Sequence, residues 1–330
     1  MKLEKQSYIN DTVRIGNVEI RGRLTLAPMA GVSDFAFRKI CREQGAALAV
    51  TEMISAKALV FGDKKTEQLL YVPEDEGPVS AQIFGHEPET MAQAAEIALD
   101  ISGADIIDVN FGCPVGKIVH AGDGSAIMKT PELAGEIISA ITARVKVPVT
   151  AKFRKGFDGG SVNAVEFAKI CEAAGASALA VHGRTRAQLY SGRADWDIIR
   201  EVKKAVKIPV FANGDVFSYS DAEHILEYTG ADFAMVGRGS FGNPWVFNEE
   251  TGKGLKPEPD VKEKLETALR QTEMLAENRG EYYACLESRH FASWYLHGVA
   301  HSSYYRQQLV KTESLEQMKK TINSAIKDLA

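Results

Sequence analysis

The sequence predicts an α/β fold, a (β/α)8 TIM barrel followed by a small all-α helical bundle, and three observations carry that prediction. First, eight short apolar or β-branched runs each end in glycine or a polar cluster. They are LTLAPM (24–29), ALAVTEM (47–53), VSAQIFG (79–85), IIDVNFGC (106–113), PVTAKFRKG (148–156), ALAVHGRT (178–185), PVFANGD (209–215) and FAMVGRG (233–239). Second, segments between them, such as PETMAQAAEIALDISG and SVNAVEFAKICEAAG, place apolar residues at helical spacing and stop at glycine. Third, strands that are apolar throughout and alternate with helices indicate a covered parallel sheet, and eight such units in about 220 residues match a barrel of usual length about 250. A doubly wound sheet is the competing fold, but it rarely needs eight regular units.

The elements follow in order. Residues 12–21 read as a hairpin with Gly16-Asn17 at its turn, closing the barrel bottom, so the barrel domain spans 1–247. NEETGKGLKPEPD (248–260), rich in Gly, Pro and charge, reads as a linker. Residues 261–330 hold no strand-like run and show helical periodicity, and basic and acidic residues are evenly balanced over 255–330.

Composition narrows the class. With 330 residues, 45% hydrophobic and 25% charged, the chain is neither disordered, collagen-like nor a small disulfide scaffold. The polar start MKLEKQSYIN lacks the apolar stretch of a signal peptide, and no apolar run approaches the roughly 18 residues of a membrane span. A cytoplasmic protein without membrane contact is expected. The four cysteines form no CxxC pair, which argues against zinc or a disulfide framework, so no metal is expected. A net charge of −5 gives no global pull toward nucleic acid, so any RNA contact must rest on local basic patches. No residue pattern speaks to the oligomeric state, and a monomer is the expectation.

Active sites of such barrels are built at the carboxyl ends of the strands. Those ends carry Pro28-Met29-Ala30, Gln82, Asn110 with Cys113, Lys152, His182, Asn213-Gly214-Asp215 and Gly237-Arg238. Polar residues aimed into a barrel mouth are costly to bury unpartnered, so together they read as a ligand site. The last two strand ends lie where barrels often hold phosphate, with Arg238 supplying charge. Residues 237–242 also fit G-x-G-x-x-G, but without the Rossmann context that would give the pattern meaning. Lys152 suits the N1–C2=O edge of a flavin, where negative charge develops on reduction. The loop after Asn110-Phe111-Gly112-Cys113-Pro114 is long and glycine-rich, as functional lids are. Its thiol, with an ordinary pKa near 8.5, would be protonated at neutral pH and able to donate. Cys41, Cys171 and Cys285 fall in helical patterns and read as buried small hydrophobes.

At this point the residues resemble a known family. LAPMAGVSDFAFR, VSAQIFG, DVNFGCP, GDGSAIM, TAKFRKG, VHGRT, ANGD and MVGRG are similar, in order, to the motifs of the tRNA-dihydrouridine synthases, and SRHFASWYLHG with Arg306 is similar to the family's helical domain. The pattern looks closest to the bacterial B-type branch. The resemblance implies an FMN enzyme that reduces uridine to 5,6-dihydrouridine in the tRNA D-loop with NADPH, passing hydride from flavin N5 to C6 of the uracil. It implies that Pro28, Met29 and Ala30 border the flavin, that Gln82 and Lys152 meet its polar edge, and that His182, Asn213, Gly214, Asp215, Gly237 and Arg238 hold the ribityl chain and phosphate. Cys113 would then protonate C5, with Asn110 beside it positioning the uracil. The region 261–330 would be a helical tRNA-binding domain. Extracting a base from folded tRNA costs a few kcal/mol and implies wide RNA contacts. The candidates are Lys117, Arg154-Lys155, Arg184, Arg186 and Arg193, and Arg289, His290 and Arg306. One departure stands out: the loop after the cysteine carries Lys117 and His120 but also Asp123, where many relatives are more basic.

Two other functions fit parts of the pattern. A flavin barrel acting on a small molecule, of the dihydroorotate-dehydrogenase or ene type, explains the flavin residues but not the helical domain and GCP loop together. A non-catalytic tRNA-binding protein would not need Cys113. No nicotinamide fingerprint is present, consistent with NADPH visiting the flavin transiently.

Overall fold

A computed structural model describes residues 8–330. Residues 1–7, most of the polar start, lie outside the described residues. A two-stranded antiparallel hairpin, β1 (Thr12–Ile15) and β2 (Val18–Arg21), comes first. Eight parallel strands then close into a barrel. They are β3 (Leu24–Leu26), β4 (Leu48–Ser55), β5 (Val79–Phe84), β6 (Ile106–Phe111), β7 (Val149–Arg154), β8 (Ala178–His182), β9 (Val210–Asn213) and β10 (Phe233–Val236), with β10 pairing back onto β3. All eight predicted strands are present.

Helices such as Pro88–Ser102, Pro131–Thr142, Ala164–Ala173 and Tyr219–Thr229 cover the outside, burying the apolar stripes read from the sequence. The hairpin plugs the bottom: Ile15 and Ile20 are fully buried in one cluster with Leu48, Ile106, Ala178, Phe211 and Phe233 from the barrel interior. Phe211 and Phe233 stack there at 4.4 Å between centroids. Among the described residues side chains fill the lower end of the barrel, and a cavity opens at the carboxyl ends of the strands.

Beyond β10 the chain is helical, with Val261–Arg279, Glu281–Phe291, Ser303–Leu309 and Leu315–Leu329 as its regular elements. These helices share a buried cluster with Phe35, Ala36 and Trp245. Trp245 donates to Glu263, and Phe241 stacks on Trp294 at 4.5 Å. Gly242 makes that approach possible, because a Cβ there would lie 2.3 Å from the Trp294 backbone. The helical region therefore packs tightly on the barrel. The expected linker is revised: Asn248 caps a short helix, Glu249–Gly252, and Gly252 sits against Tyr219, so only the stretch after it is free of regular structure. Composition marks 248–260 as a linker, and within it tertiary contact orders the first half.

Among the described residues no helix is long and apolar enough to cross a membrane, and no group of His, Cys, Asp and Glu is arranged to hold a metal.

Candidate active site

Period-two alternation sends every second strand residue into the barrel. The parallel register then sets these residues side by side: Met53 against Gln82, Gln82 against Asp108, Asp108 against Thr150, Asn110 against Lys152, and His182 against both Arg154 and Asn213. Above them opens a cavity of about 460 Å³, within the size range of small-molecule sites. Pro28, Met29, Ala30, Gln82, Asn110, Cys113, Lys152, His182, Asn213, Gly214, Asp215, Gly237 and Arg238 all line it. Every residue named from the strand ends meets in one place.

Cys113 is buried at the cavity wall, and its loop is held from several sides. Its backbone N–H and that of Gly112 donate to Asn110 Oδ1 at 2.8 and 3.0 Å. Its carbonyl accepts from the N–H and hydroxyl of Ser125 at 3.1 and 2.8 Å. Gly124 lies so close to Cys113 that a side chain there would press on it at 3.0 Å, and its φ of 58° suits glycine. Burial pushes the Cys113 thiol above its ordinary range, with a backbone hydrogen bond from Val115 and the charge of Arg154 opposing. The thiol is therefore protonated at neutral pH. Cys41, Cys171 and Cys285 are buried away from the cavity and also shifted up by desolvation, Cys171 to about 12.

Lys152 Nζ donates to Asn213 Oδ1 at 3.0 Å, its one hydrogen-bonded acceptor among the described residues. Burial, with Arg154 nearby, pushes its pKa down to about 8, while Asp108 acts in the opposite direction. A lysine whose folded pKa lies below its ordinary value weakens the fold while protonated, and stability returns as pH rises from the folded value toward the unfolded one. The protein without ligand should therefore gain stability between about pH 8 and the ordinary lysine value of about 10.4, and Lys152→Met should lack that gain. Thermal melts of both across this range check it; parallel curves would contradict the assignment. His182 is held well below its usual range by burial and by Lys152, Arg154, Arg184 and Arg238, so its imidazole is neutral.

Several expected roles change. Arg154, taken as an RNA-facing residue, is 3% exposed. It donates to the carbonyls of Gly112, Thr185 and Leu189, stitching the cysteine loop to the loop after β8. Arg184 is 2% exposed and bound to both carboxylate oxygens of Asp215 at 2.7 and 2.8 Å. It is a structural ion pair, and it occupies the carboxylate expected to face the cofactor. Arg186 is half-buried over Phe157, and Arg289 is tied to the Thr312 carbonyl. Lys155 pairs with Asp195 at 3.2 Å. Lys117, Arg193, His290 and Arg306 are exposed. Gln82 and Asn110 are bonded to one another at 2.8 Å as well as lining the cavity.

The strand-end survey missed Asp108 and Thr150, which lie one inward step below Asn110 and Lys152. The alternation of the two strands carried that signal. It also missed Tyr190 and Phe217, exposed rings over which Arg238 lies at 4.7 and 5.7 Å from their centroids. They sit on loops without a periodic signature.

Residues 25–330 match the family model described as Dihydrouridine synthase (Dus). The chain belongs to the dihydrouridine synthase family. It is 44% identical over 289 residues to a tRNA-dihydrouridine synthase B of Shewanella oneidensis, covering 86% of this chain and 89% of that one. It is 41% identical over 299 residues to one of Vibrio vulnificus, covering 89% and 92%. Among solved structures, a histamine dehydrogenase from Rhizobium sp. 4-9 superposes with a TM-score of 0.61 at 14% identity, over 81% of this chain and 51% of that one. This chain spans about half the length of that structure, and the likeness concerns the barrel fold alone. For this dihydrouridine synthase family member, the cysteine loop, the Lys152 cluster and the seat of Arg238 all fall inside the matched region.

Proposed function

We propose that this enzyme reduces uridine to 5,6-dihydrouridine in the D-loop of tRNA, with FMN as resident cofactor and NADPH as reductant. The observation that carries the proposal is one cavity lined both by a protonated thiol, Cys113, and by Lys152, His182 and Arg238. The residues fit a flavin. Lys152 has N–H groups to spare beyond Asn213, and the His182 ring makes no hydrogen bond to the protein among the described residues. Arg238 keeps about a third of its side chain exposed, with Asp215 at a long 3.6 Å.

When bound, FMN supplies hydride transfer from NADPH to C6 of the uracil. Pro28, Met29 and Ala30 would border its ring, Lys152 and Gln82 its polar edge, and His182, Asn213, Gly214, Gly237 and Arg238 its ribityl chain and phosphate. Asp215 would act through Arg184 by holding the loop after β9. Cys113 then gives its Sγ proton to C5 of the uracil, and the buried wall excludes water that could compete. Asn110 seats the cysteine loop. Extracting the base calls for RNA contact outside the cavity. Lys117, Arg193 and Arg306 are exposed cations for it, with the exposed His290 ring as a further polar contact, and the helical domain reaches the cavity edge where Trp294 backs Phe241. The reading takes the reaction to be cytoplasmic and the enzyme monomeric.

Arg238→Ala should weaken FMN binding by about 1.5–3 kcal/mol, the usual cost of losing a charged hydrogen-bond partner. Full flavin retention after gel filtration would remove Arg238 from the cofactor site. The proposal as a whole is tested by asking what reoxidises the reduced protein. Bulk tRNA should do so rapidly, and orotate or enones should not. Reoxidation by a small enone alone would replace the tRNA reading with a small-molecule one.

A further inference from the structure

A hydrogen-bond chain runs beneath the cavity, and its polarity is fixed at both ends. At the upper end the N–H groups of Gly112 and Cys113 point at one atom of the Asn110 side chain. A backbone N–H can only donate, so that atom must be the carbonyl oxygen. Asn110 Nδ2 therefore faces Gln82 Oε1, at 2.8 Å. Gln82 Nε2 in turn faces Asp108 Oδ2 at 2.6 Å, and the Thr150 hydroxyl donates to Asp108 Oδ1 at 2.5 Å. At the lower end, then, stands a carboxylate, an acceptor at both oxygens. The two amides between have one consistent orientation.

We propose that Asp108 is a positioning residue: its carboxylate fixes the orientation of the Gln82 and Asn110 amides and through them the seat of the Cys113 loop. The proposal rests on the reading of Cys113 as proton donor. Asp108 is 4% exposed, and among the described residues its hydrogen bonds reach the loop through Gln82 and Asn110. If the Gln82 amide turned over, its NH2 would meet the NH2 of Asn110. If Asn110 followed, its NH2 would oppose two backbone N–H groups and push the loop off its seat. Either way a buried polar group is left without a partner, which is the expensive outcome in such a network.

The test is a double-mutant cycle of Asp108→Asn and Thr150→Val, both near-isosteric. Thr150→Val alone leaves the carboxylate, whose two oxygens are equivalent, so polarity survives. Asp108→Asn alone can still present Oδ1 to Gln82 and its NH2 to the Thr150 hydroxyl, so polarity again survives. In the double variant the lower anchor is gone, and only the Gly112 and Cys113 N–H groups, acting through two amides, still orient the new side chain. Loss of charge beside Lys152 is common to Asp108→Asn and the double variant, so comparing those two isolates the orientation.

Two readouts are needed: reoxidation of the reduced flavin by tRNA, and the rate at which iodoacetamide alkylates Cys113, followed by peptide mass. Thr150→Val should change both less than about twofold in the wild-type background. In the Asp108→Asn background it should slow reoxidation about tenfold or more and speed alkylation about threefold or more, since an ångström of misplacement is costly. Equal effects of Thr150→Val in both backgrounds would overturn the proposal. If the double variant does not fold, Asp108→Leu, which removes both acceptor oxygens, decides alone: alkylation about threefold or more above wild type supports the orienting role, and a change within about twofold contradicts it. Cys113→Ala is run in parallel. Its failure to slow reoxidation would remove the proton-donor reading, while the alkylation arm still judges Asp108 by itself.

Discussion

Cys113→Ala is expected to accept electrons from NADPH at a near wild-type rate and to stall when offered tRNA. In the proposed reaction the two half-reactions, reduction of a flavin and reduction of uracil, make different demands on the protein. Reducing the bound flavin needs no acid on the uracil side of the cavity, so the loss of a thiol there should leave bleaching of the flavin unchanged. Completing the reduction of uracil requires a proton at C5, and Cys113 is the cysteine that lines the cavity. Removal of one general acid typically costs about 10²–10⁴-fold. Cys113→Ser should recover little, since a hydroxyl yields its proton far less readily. The same chemistry sets a pH dependence. Because burial raises the thiol above its ordinary range, tRNA turnover should stay level through neutral pH and fall only in the alkaline region where the thiolate forms. Substituting Cys41, Cys171 or Cys285 should alter stability alone. Stopped-flow absorbance separates the two phases. A wild-type rate of reoxidation by tRNA in Cys113→Ala would contradict the assignment.

Glu76→Ala is expected to cause the largest loss of stability. Glu76 and Arg38 form an ion pair at 2.6 Å with side chains 0% and 1% exposed. The guanidinium also donates to the carbonyls of Ser33 and Tyr71. Ser33 in turn ties down the Met29 N–H with its hydroxyl, so the pair underpins the loop that lines the cavity at Pro28–Ala30. Deleting the carboxylate strands a buried cation, which costs about 3–5 kcal/mol. Denaturant unfolding should show that loss. Replacing both partners by Arg38→Met and Glu76→Leu should recover much of it, because the desolvation penalty then vanishes. A loss below about 1 kcal/mol in Glu76→Ala would contradict the inference from burial.

Much of this could be read before the structure, for identifiable reasons. Barrel strands and covering helices have the periods 2 and 3.6, and glycine marks their ends, so the eight units and the hairpin were legible. Strand carboxyl ends converge in any such barrel, so listing them collected the residues that line the cavity. Partners distant in the sequence were not legible. Arg154 and Arg184 looked like surface charge, yet the carbonyls of Gly112, Thr185 and Leu189, and the carboxylate of Asp215, hold them inside. Asp108 lies inside its strand and carries no strand-end signal, although it stands two residues before Asn110 on the same inward face. Arg38 and Glu76 lie 38 residues apart with no shared motif. Charge alone says nothing about a partner that only folding supplies.

Whether this chain makes dihydrouridine in tRNA is decided by analysis of the product. Unmodified bulk tRNA is incubated with the flavin-loaded protein and NADPH, digested to nucleosides and examined by mass spectrometry. Dihydrouridine is expected, formed by wild type and nearly absent with Cys113→Ala. NADPH consumption by wild type with no dihydrouridine in the tRNA would contradict it.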